Sequence, residues 1–282
     1  MLFSLFGALG LVLVLGWDYE EHGEDWKGLC SDGKEQSPIN IRKSSADKLG
    51  DKHRMEIFYY GTTVSRTVEF KDNNIYIEGD FGYITVRDGD GKDRKFMSNR
   101  IVFHAPSEHY FNGYPTHMEM QVFHRVDDSD YTFDFPSIAV VSVMLRPGDN
   151  SYFFDSIQAS NLSNEGEGNR LPDNSNVNLI SIVQTDDDYF FYVGSMNEPK
   201  YEDGETEGCE ENVLWYVMES QQWVSFIQIN YFINRLVSAD KEGYRDIFGG
   251  SGNTRSIQSK NGRTVYYSAS LYIYTSLILI LY

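Results

Sequence analysis

Apolar residues crowd both ends of the chain and alternate with polar ones in between. Residues 2–16, LFSLFGALGLVLVLG, carry no charge, and polar sequence starts at Asp18. Such a run, closing on small residues, reads as a secretory signal cut near Gly16, which assigns 1–16 to a leader. No Lys or Arg precedes it; a buried N-terminal helix or a retained anchor is the other reading. At the far end Val265–Tyr282 has no charged residue in eighteen positions, the short limit for a membrane span. Small residues at Ser268–Ser270 also suit a glycolipid-anchor signal, and the Tyr, Ile and Thr content suits a terminal strand. Residues 267–282 are read as a membrane anchor or anchor signal.

Between the ends there is no repeat and no Pro/Ser-rich linker, so 17–266 is expected to form one domain. Period-two alternation marks strands at Asn74–Glu78, Tyr83–Arg87, Arg100–His104, Met118–His124 and Ile138–Leu145. Asp72-Asn73-Asn74 and Asp88-Gly89-Asp90-Gly91 supply turns between them. One helix stands out, from Ser225 to about Leu236. Ser225 and Gln228 form a capping box, and Ile227, Tyr231 and Leu236 are expected to share one face. The pattern predicts a mainly β (α+β) fold.

Charge narrows the partners. With 42 acidic and 24 basic side chains the formal charge is −18, which argues against nucleic acids and sulfated glycans, both of which need basic patches. The two cysteines, Cys30 and Cys209, are too far apart in sequence for a CxxC motif. By themselves they are either one long-range disulfide or two buried thiols.

Phe103–His124, FHAPSEHYFNGYPTHMEMQVFH, is the most informative stretch. It resembles the active-site strands of the α-class carbonic anhydrases, which read roughly FHFHxPSEHxxxG and YPxExHxVH. Further segments carry the same resemblance: Gln36-Ser37-Pro38-Ile39-Asn40-Ile41, Gly61, Tyr192-x-Gly194-Ser195-Met196, Cys209-x-Glu211-x-Val213-x-Trp215 and Asn253-x-Arg255-x-x-Gln258. The resemblance implies a large twisted, mostly antiparallel central sheet with short peripheral helices. It also implies a Cys30–Cys209 disulfide, as in secreted family members, and hence an oxidising compartment.

In that family three strand histidines hold zinc, two at i and i+2 on one strand and one on its neighbour. Here the resemblance places His104 at the second ligand position, Val102 at the first and Gln121 at the third. Valine has no donor atom, and a neutral amide oxygen is a poor zinc ligand. Arg100 shares the face of Val102 and adds a positive charge beside the site. His117 lies about 13 Å from Gln121 along a strand, too far to substitute. Thr62 stands at the proton-shuttle position and cannot titrate near neutrality. Asn197 and Glu198 replace the two threonines that follow the Y-x-G-S-L segment, and Phe123 adds bulk where the family has valine. Glu108 and Glu119 keep the carboxylates that orient ligands in the family, and are expected to hydrogen-bond Asn197 or His104 in the cleft floor. Met196 and Trp215 complete the cleft, and His109 and His124 are read as structural. His22 and His53 have no evident partner.

No catalytic residue, no metal site and no cofactor are therefore expected. The resemblance points to the carbonic anhydrase-related proteins, which lack zinc ligands and act as binding or scaffold domains. Two alternatives remain: a weakly active zinc enzyme built on His104, and a binder of a small anion at Arg100, Gln121 and Asn197. Arg100 separates them, because a salt bridge to Glu198 or Glu119 would leave the cleft filled. The expected partner is another protein or a small ligand, with membrane contact through the tail, in the secretory pathway or at the cell surface. Residues 201–208, YEDGETEG, look like a flexible acidic loop beside the cleft, and Asn161-Leu162-Ser163 is a glycosylation sequon.

Overall fold

The computed structural model describes residues 18–269 apart from 64–66, 72, 163, 165, 172–174, 203–204 and 238–251. The leader, the tail from residue 270 and Ser163 of the sequon lie outside the described residues. Among those described, thirteen strands form one large sheet. Read from one edge, its main path runs Glu167–Arg170, Thr67–Lys71, Asn74–Glu78, Asp93–His104, Met118–Val126 and Ile138–Pro147. It continues through Glu211–Met218, Tyr189–Ser195, Tyr266–Tyr267 and Asp47–Lys48. Met55–Tyr59 and Gly82–Arg87 extend the sheet beside the first half of Asp93–His104. Within this sheet Ile138–Pro147 lies parallel to Glu211–Met218 and to Gln222–Val224, and Tyr266–Tyr267 lies parallel to Asp47–Lys48; the other described pairs are antiparallel.

The alternating segments become strands because each can bury one or both faces. Ile138–Pro147 sends Ala139, Val141, Val143 and Leu145 into the larger core, and Val140 and Met144 into a second cluster on the opposite face. That second cluster holds Val102, Phe123, Phe190, Tyr192 and Trp215 and forms the floor of the cleft. Asp93–His104 begins earlier than the alternation suggested, because the Asp88 turn folds it back onto Gly82–Arg87. Asp88 Oδ1 accepts the Asp90 and Lys92 amides, both at 2.9 Å, and fixes that turn.

The helix forms at Phe226–Leu236 with both halves of the Ser225–Gln228 capping box in place. Its buried face differs from the expected one. Ile229, Phe232, Ile233 and Leu236 point inward, whereas Ile227 is 65% exposed and Tyr231 half-buried. Gln228 ties the first turn to Ser151 and Asp155, and this rotates Ile227 outward. The segment read as an acidic loop is instead a two-stranded hairpin, Pro199–Glu202 against Glu205–Gly208. Its backbone pairs Tyr201 with Thr206, two residue types that favour strands.

Cys30 and Cys209 are bonded, with 5.0 Å between their Cα atoms, and pack with Tyr19 and Trp26. The bridge pins the N-terminal segment to the entry of Glu211–Met218. Closing a loop of 179 residues stabilises by roughly 3–5 kcal/mol in the chain-entropy picture.

Under the sheet, the Phe103 ring lies 4.8 Å from Phe232 and 5.8 Å from Phe154, joining strand to helices. Phe103→Ala is expected to cost about 3–5 kcal/mol. It should appear as a lower urea midpoint at unchanged slope; a wild-type midpoint would show that these rings do not secure the helix.

Candidate functional site

Strand register builds the cleft floor. Asp93–His104 and Met118–Val126 pair so that Val102 faces Gln121 and His104 faces Glu119. On the other side Gln121 pairs with Ser142 of Ile138–Pro147. All of these side chains are buried, as are Glu108 and Asn197.

His104 is held from behind. Its Nδ1 donates to the Asn253 carbonyl at 2.8 Å. Asn253 is locked in turn: its Nδ2 donates to Asn74 Oδ1 and Phe103 O, and its Oδ1 accepts from the Ala105 amide. The other imidazole nitrogen, Nε2, has no hydrogen-bond partner and lies 3.6 Å from Glu108 Oε2. Asn197 Oδ1 is likewise unpartnered.

The two carboxylates organise the rest. Glu119 Oε2 accepts the backbone amides of Glu108 (2.9 Å) and His109 (2.8 Å). Its Oε1 accepts from His109 Nδ1 (2.8 Å), Ser142 Oγ (2.7 Å) and Gln121 Nε2 (2.9 Å). The same Gln121 amide donates to Glu108 Oε2 at 2.9 Å. Asn197 Nδ2 also donates to Glu108 Oε2, and the Arg255 amide reaches Glu108 Oε1 at 3.0 Å. Burial pushes the Glu108 carboxyl up. Burial also works to raise Glu119, but the His109 imidazole and the bonds it donates, with His104 beyond, outweigh it and hold the carboxyl at about 2.

At the mouth, Arg100 Nη2 donates to Glu198 Oε1 at 3.0 Å, and Tyr76 Oη donates to Glu198 Oε2 at 3.2 Å. The Arg100 guanidinium lies over the Phe123 ring, 4.4 Å from its centroid. Phe123 is buried and meets Trp215 edge-on at 6.5 Å. Trp215 Nε1 donates to Ser195 O at 2.9 Å, and Met196 closes the same wall. Arg100 thus carries its own counter-ion, and the charge it was expected to bring to the metal position is balanced by Glu198.

The donors present do not suit zinc. One imidazole nitrogen is free, Val102 offers nothing, and the Gln121 amide is committed to two carboxylates. Among the described residues no group of three or more His, Cys, Asp or Glu stands where it can hold a metal.

The remaining sequence candidates scatter. Thr62 is exposed on a loop, and Asn161 is exposed at the end of a short 3-10 turn. His124 is buried, bonded to Tyr59 Oη at 3.0 Å, and burial lowers it to about 3. His22 Nδ1 donates to Thr254 O, and His53 stacks on Phe191 at 4.6 Å, so both have partners the sequence did not disclose. Asn253, quoted only as part of a closing motif, and Ser142 and Tyr76 belong to the site but were not read as site residues. Ser142 had a signal, as the lone polar residue in the apolar run IAVVSVML; Tyr76 had none beyond its place in an alternating strand.

A family model described as eukaryotic-type carbonic anhydrase matches residues 20–269. The chain is 28% identical over 249 residues to carbonic anhydrase Nec1 of Nesocodon mauritianus, covering 87% of this chain and 80% of that protein. It is 27% identical over 259 residues to dioscorin dioA3 of Dioscorea japonica, covering 88% and 83%. The solved complex of α-carbonic anhydrase from Thermovibrio ammonificans with the inhibitor sulfanilamide shares the fold, with a TM-score of 0.67 at 23% identity, over 89% of this chain and 98% of that one.

Glu119 sets a pH dependence. Its folded-state pKa lies near 2, below the ordinary 4.5. It therefore stabilises the protein above about pH 4.5, and that contribution fades as pH falls towards 2. Glu119→Gln should flatten the urea midpoint over that interval while lowering it at neutral pH. An acid limb as steep as in wild type would show that this carboxylate does not govern acid stability.

Proposed function

The chain belongs to the eukaryotic-type carbonic anhydrase family, and we propose that it is a member without carbon dioxide hydration, serving as a secreted or surface-displayed binding, scaffold or assembly module. Hydration at neutral pH depends on a metal that lowers the pKa of bound water from about 15.7 to about 7. The observation that carries the proposal is the Gln121 amide bridging Glu108 and Glu119, with Asn197 alongside. Apart from His104 Nε2, the polar groups of the floor that could serve a metal are spent on one another. With Thr62 at the shuttle position, nothing there accepts a proton near neutrality.

The free Nε2 of His104 is the one feature that favours a weak zinc enzyme, and it needs partners that Val102 and Gln121 do not provide. Anion binding at Arg100 is disfavoured by its pairing with Glu198. The disulfide supports an oxidising compartment, and the −18 charge supports a protein or small-ligand partner rather than a nucleic acid.

Metal analysis of the purified protein together with a carbon dioxide hydration assay tests this. Zinc well below one equivalent and a rate equal to buffer are expected; a full equivalent with a rate above buffer would sink the proposal. A second measurement asks whether the scaffold could still take the ion. Val102→His combined with Gln121→His should acquire stoichiometric zinc by titration, and failure to do so would mean that repacking around Phe123 and Arg100, not ligand loss alone, excludes the metal.

A further inference from the structure

Four of the twelve large apolar side chains exposed among the described residues lie at one end of the sheet: Tyr152 at 83%, Ile227 at 65%, Phe226 at 57% and Trp223 at 50%. Trp223 pairs with Arg146 at the end of Ile138–Pro147, whose guanidinium covers one face of the indole at 3.7 Å. Phe226 and Ile227 open the helix that follows. Gln228 bonds both the amide and the carbonyl of Ser151, at 2.9 Å each, and so holds Tyr152 beside that first helical turn. Soluble surfaces seldom group aromatic and aliphatic residues in this way without a partner.

Topology points the last described strand towards the same end. Tyr266–Tyr267 runs antiparallel to Tyr189–Ser195, which runs antiparallel to Glu211–Met218, which is parallel to Ile138–Pro147. The last described residues therefore head in the direction in which Ile138–Pro147 reaches Trp223. Ser268 still bonds Tyr189 O at 3.0 Å, and Tyr189 pairs with Met218. From there Trp223, in line with Glu211–Met218, is two strand spacings across, about 10 Å, and a few residues further along. The chain that follows, LYIYTSLILILY at 271–282, has no charge.

We propose that this end of the sheet is the membrane-facing surface, with Trp223, Phe226, Ile227 and Tyr152 entering the headgroup boundary of a zwitterionic bilayer while residues 271–282 insert. The inference rests on reading the tail as an anchor, and adds which face of the domain meets the lipid. Trp and Tyr favour that boundary. A single short apolar segment anchors weakly, and a second contact strengthens it. Exposed Asp149 and Asp155 beside the patch, on a chain of net charge −18, disfavour anionic lipid.

The test uses the full chain with phosphatidylcholine vesicles, with and without brominated acyl chains. Flotation that is lost on deleting residues 271–282 reads the tail, because the apolar run 2–16 is present in both proteins; quenching of tryptophan emission reads the face. Trp26 and Trp215 are buried in the fold, and Trp17 is replaced by Phe in every protein compared, so the expected result is a quenched component in this background that disappears when Trp223→Phe is added. Ile227→Asp should also lower the floated fraction at limiting lipid about tenfold. Flotation with quenching unchanged by Trp223→Phe would overturn the assigned face and leave the anchor standing, as expected if the tail or a second copy covers the patch. An unchanged floated fraction in Ile227→Asp would overturn it too. No flotation of wild type would overturn both anchor and face, and a floated fraction that rises with added phosphatidylserine would overturn the choice of zwitterionic lipid.

Discussion

Glu119 is a charged carboxylate with no solvent contact, and the centre of the structure is arranged around satisfying it. Five donors converge on its two oxygens: two backbone amides, one imidazole, one hydroxyl and one side-chain amide. Removing such a group's partners costs far more than the bonds themselves contribute, because the charge stays buried. That constraint explains how ligand positions can change while the second carboxylate, Glu108, stays. Gln121 contributes no useful metal donor, yet its NH2 group carries two hydrogens and sits between Glu108 and Glu119. An amide there keeps the carboxylates supplied with donors. An apolar residue such as Val102 is tolerated one strand over because no carboxylate leans on it.

The same accounting explains the mouth. Asn197 serves Glu108, and Glu198 is left to face outward, where it collects Arg100 and Tyr76. Each new polar residue of the cleft has found an internal partner, and Phe123 fills the space between them. Among the described residues, His104 Nε2 and Asn197 Oδ1 remain unmatched in this floor. The cleft has become a small polar core with an ion pair over it.

Much of the scaffold was legible in the sequence because half-buried strands alternate. Asn74–Glu78 was found to its ends, and Ile138–Leu145 fell short by two residues only. That Val102 and His104 stand on one strand beside Gln121 and Glu119 of the next was legible because spacing along a strand fixes which side chains share a face. Other features depended on tertiary partners that no local pattern encodes. The helix has apolar residues on more than one side, and only the bonds from Gln228 to Ser151 and Asp155 decide that Ile229 goes in and Ile227 out. Asn253 is as decisive for His104 as any strand residue, yet it sits 149 positions away. The hairpin at 199–208 was hidden by its acidic composition, which resembles a solvated loop.

The described packing of this domain does not run through the cleft floor alone. The larger core, with Phe103, Phe154 and Phe232, lies on the opposite face of the sheet from the cleft. The N-terminal segment is fastened by the disulfide and by Arg255, whose guanidinium donates to Ser37 O and Cys30 O. Arg255 also bonds Glu108 through its backbone amide, so the closing segment, the opening segment and the cleft floor meet at one residue. Chemistry and stability are therefore separable in this fold. A cleft on one face can thus be filled with paired polar groups while the sheet and the larger core on its other face are unaffected.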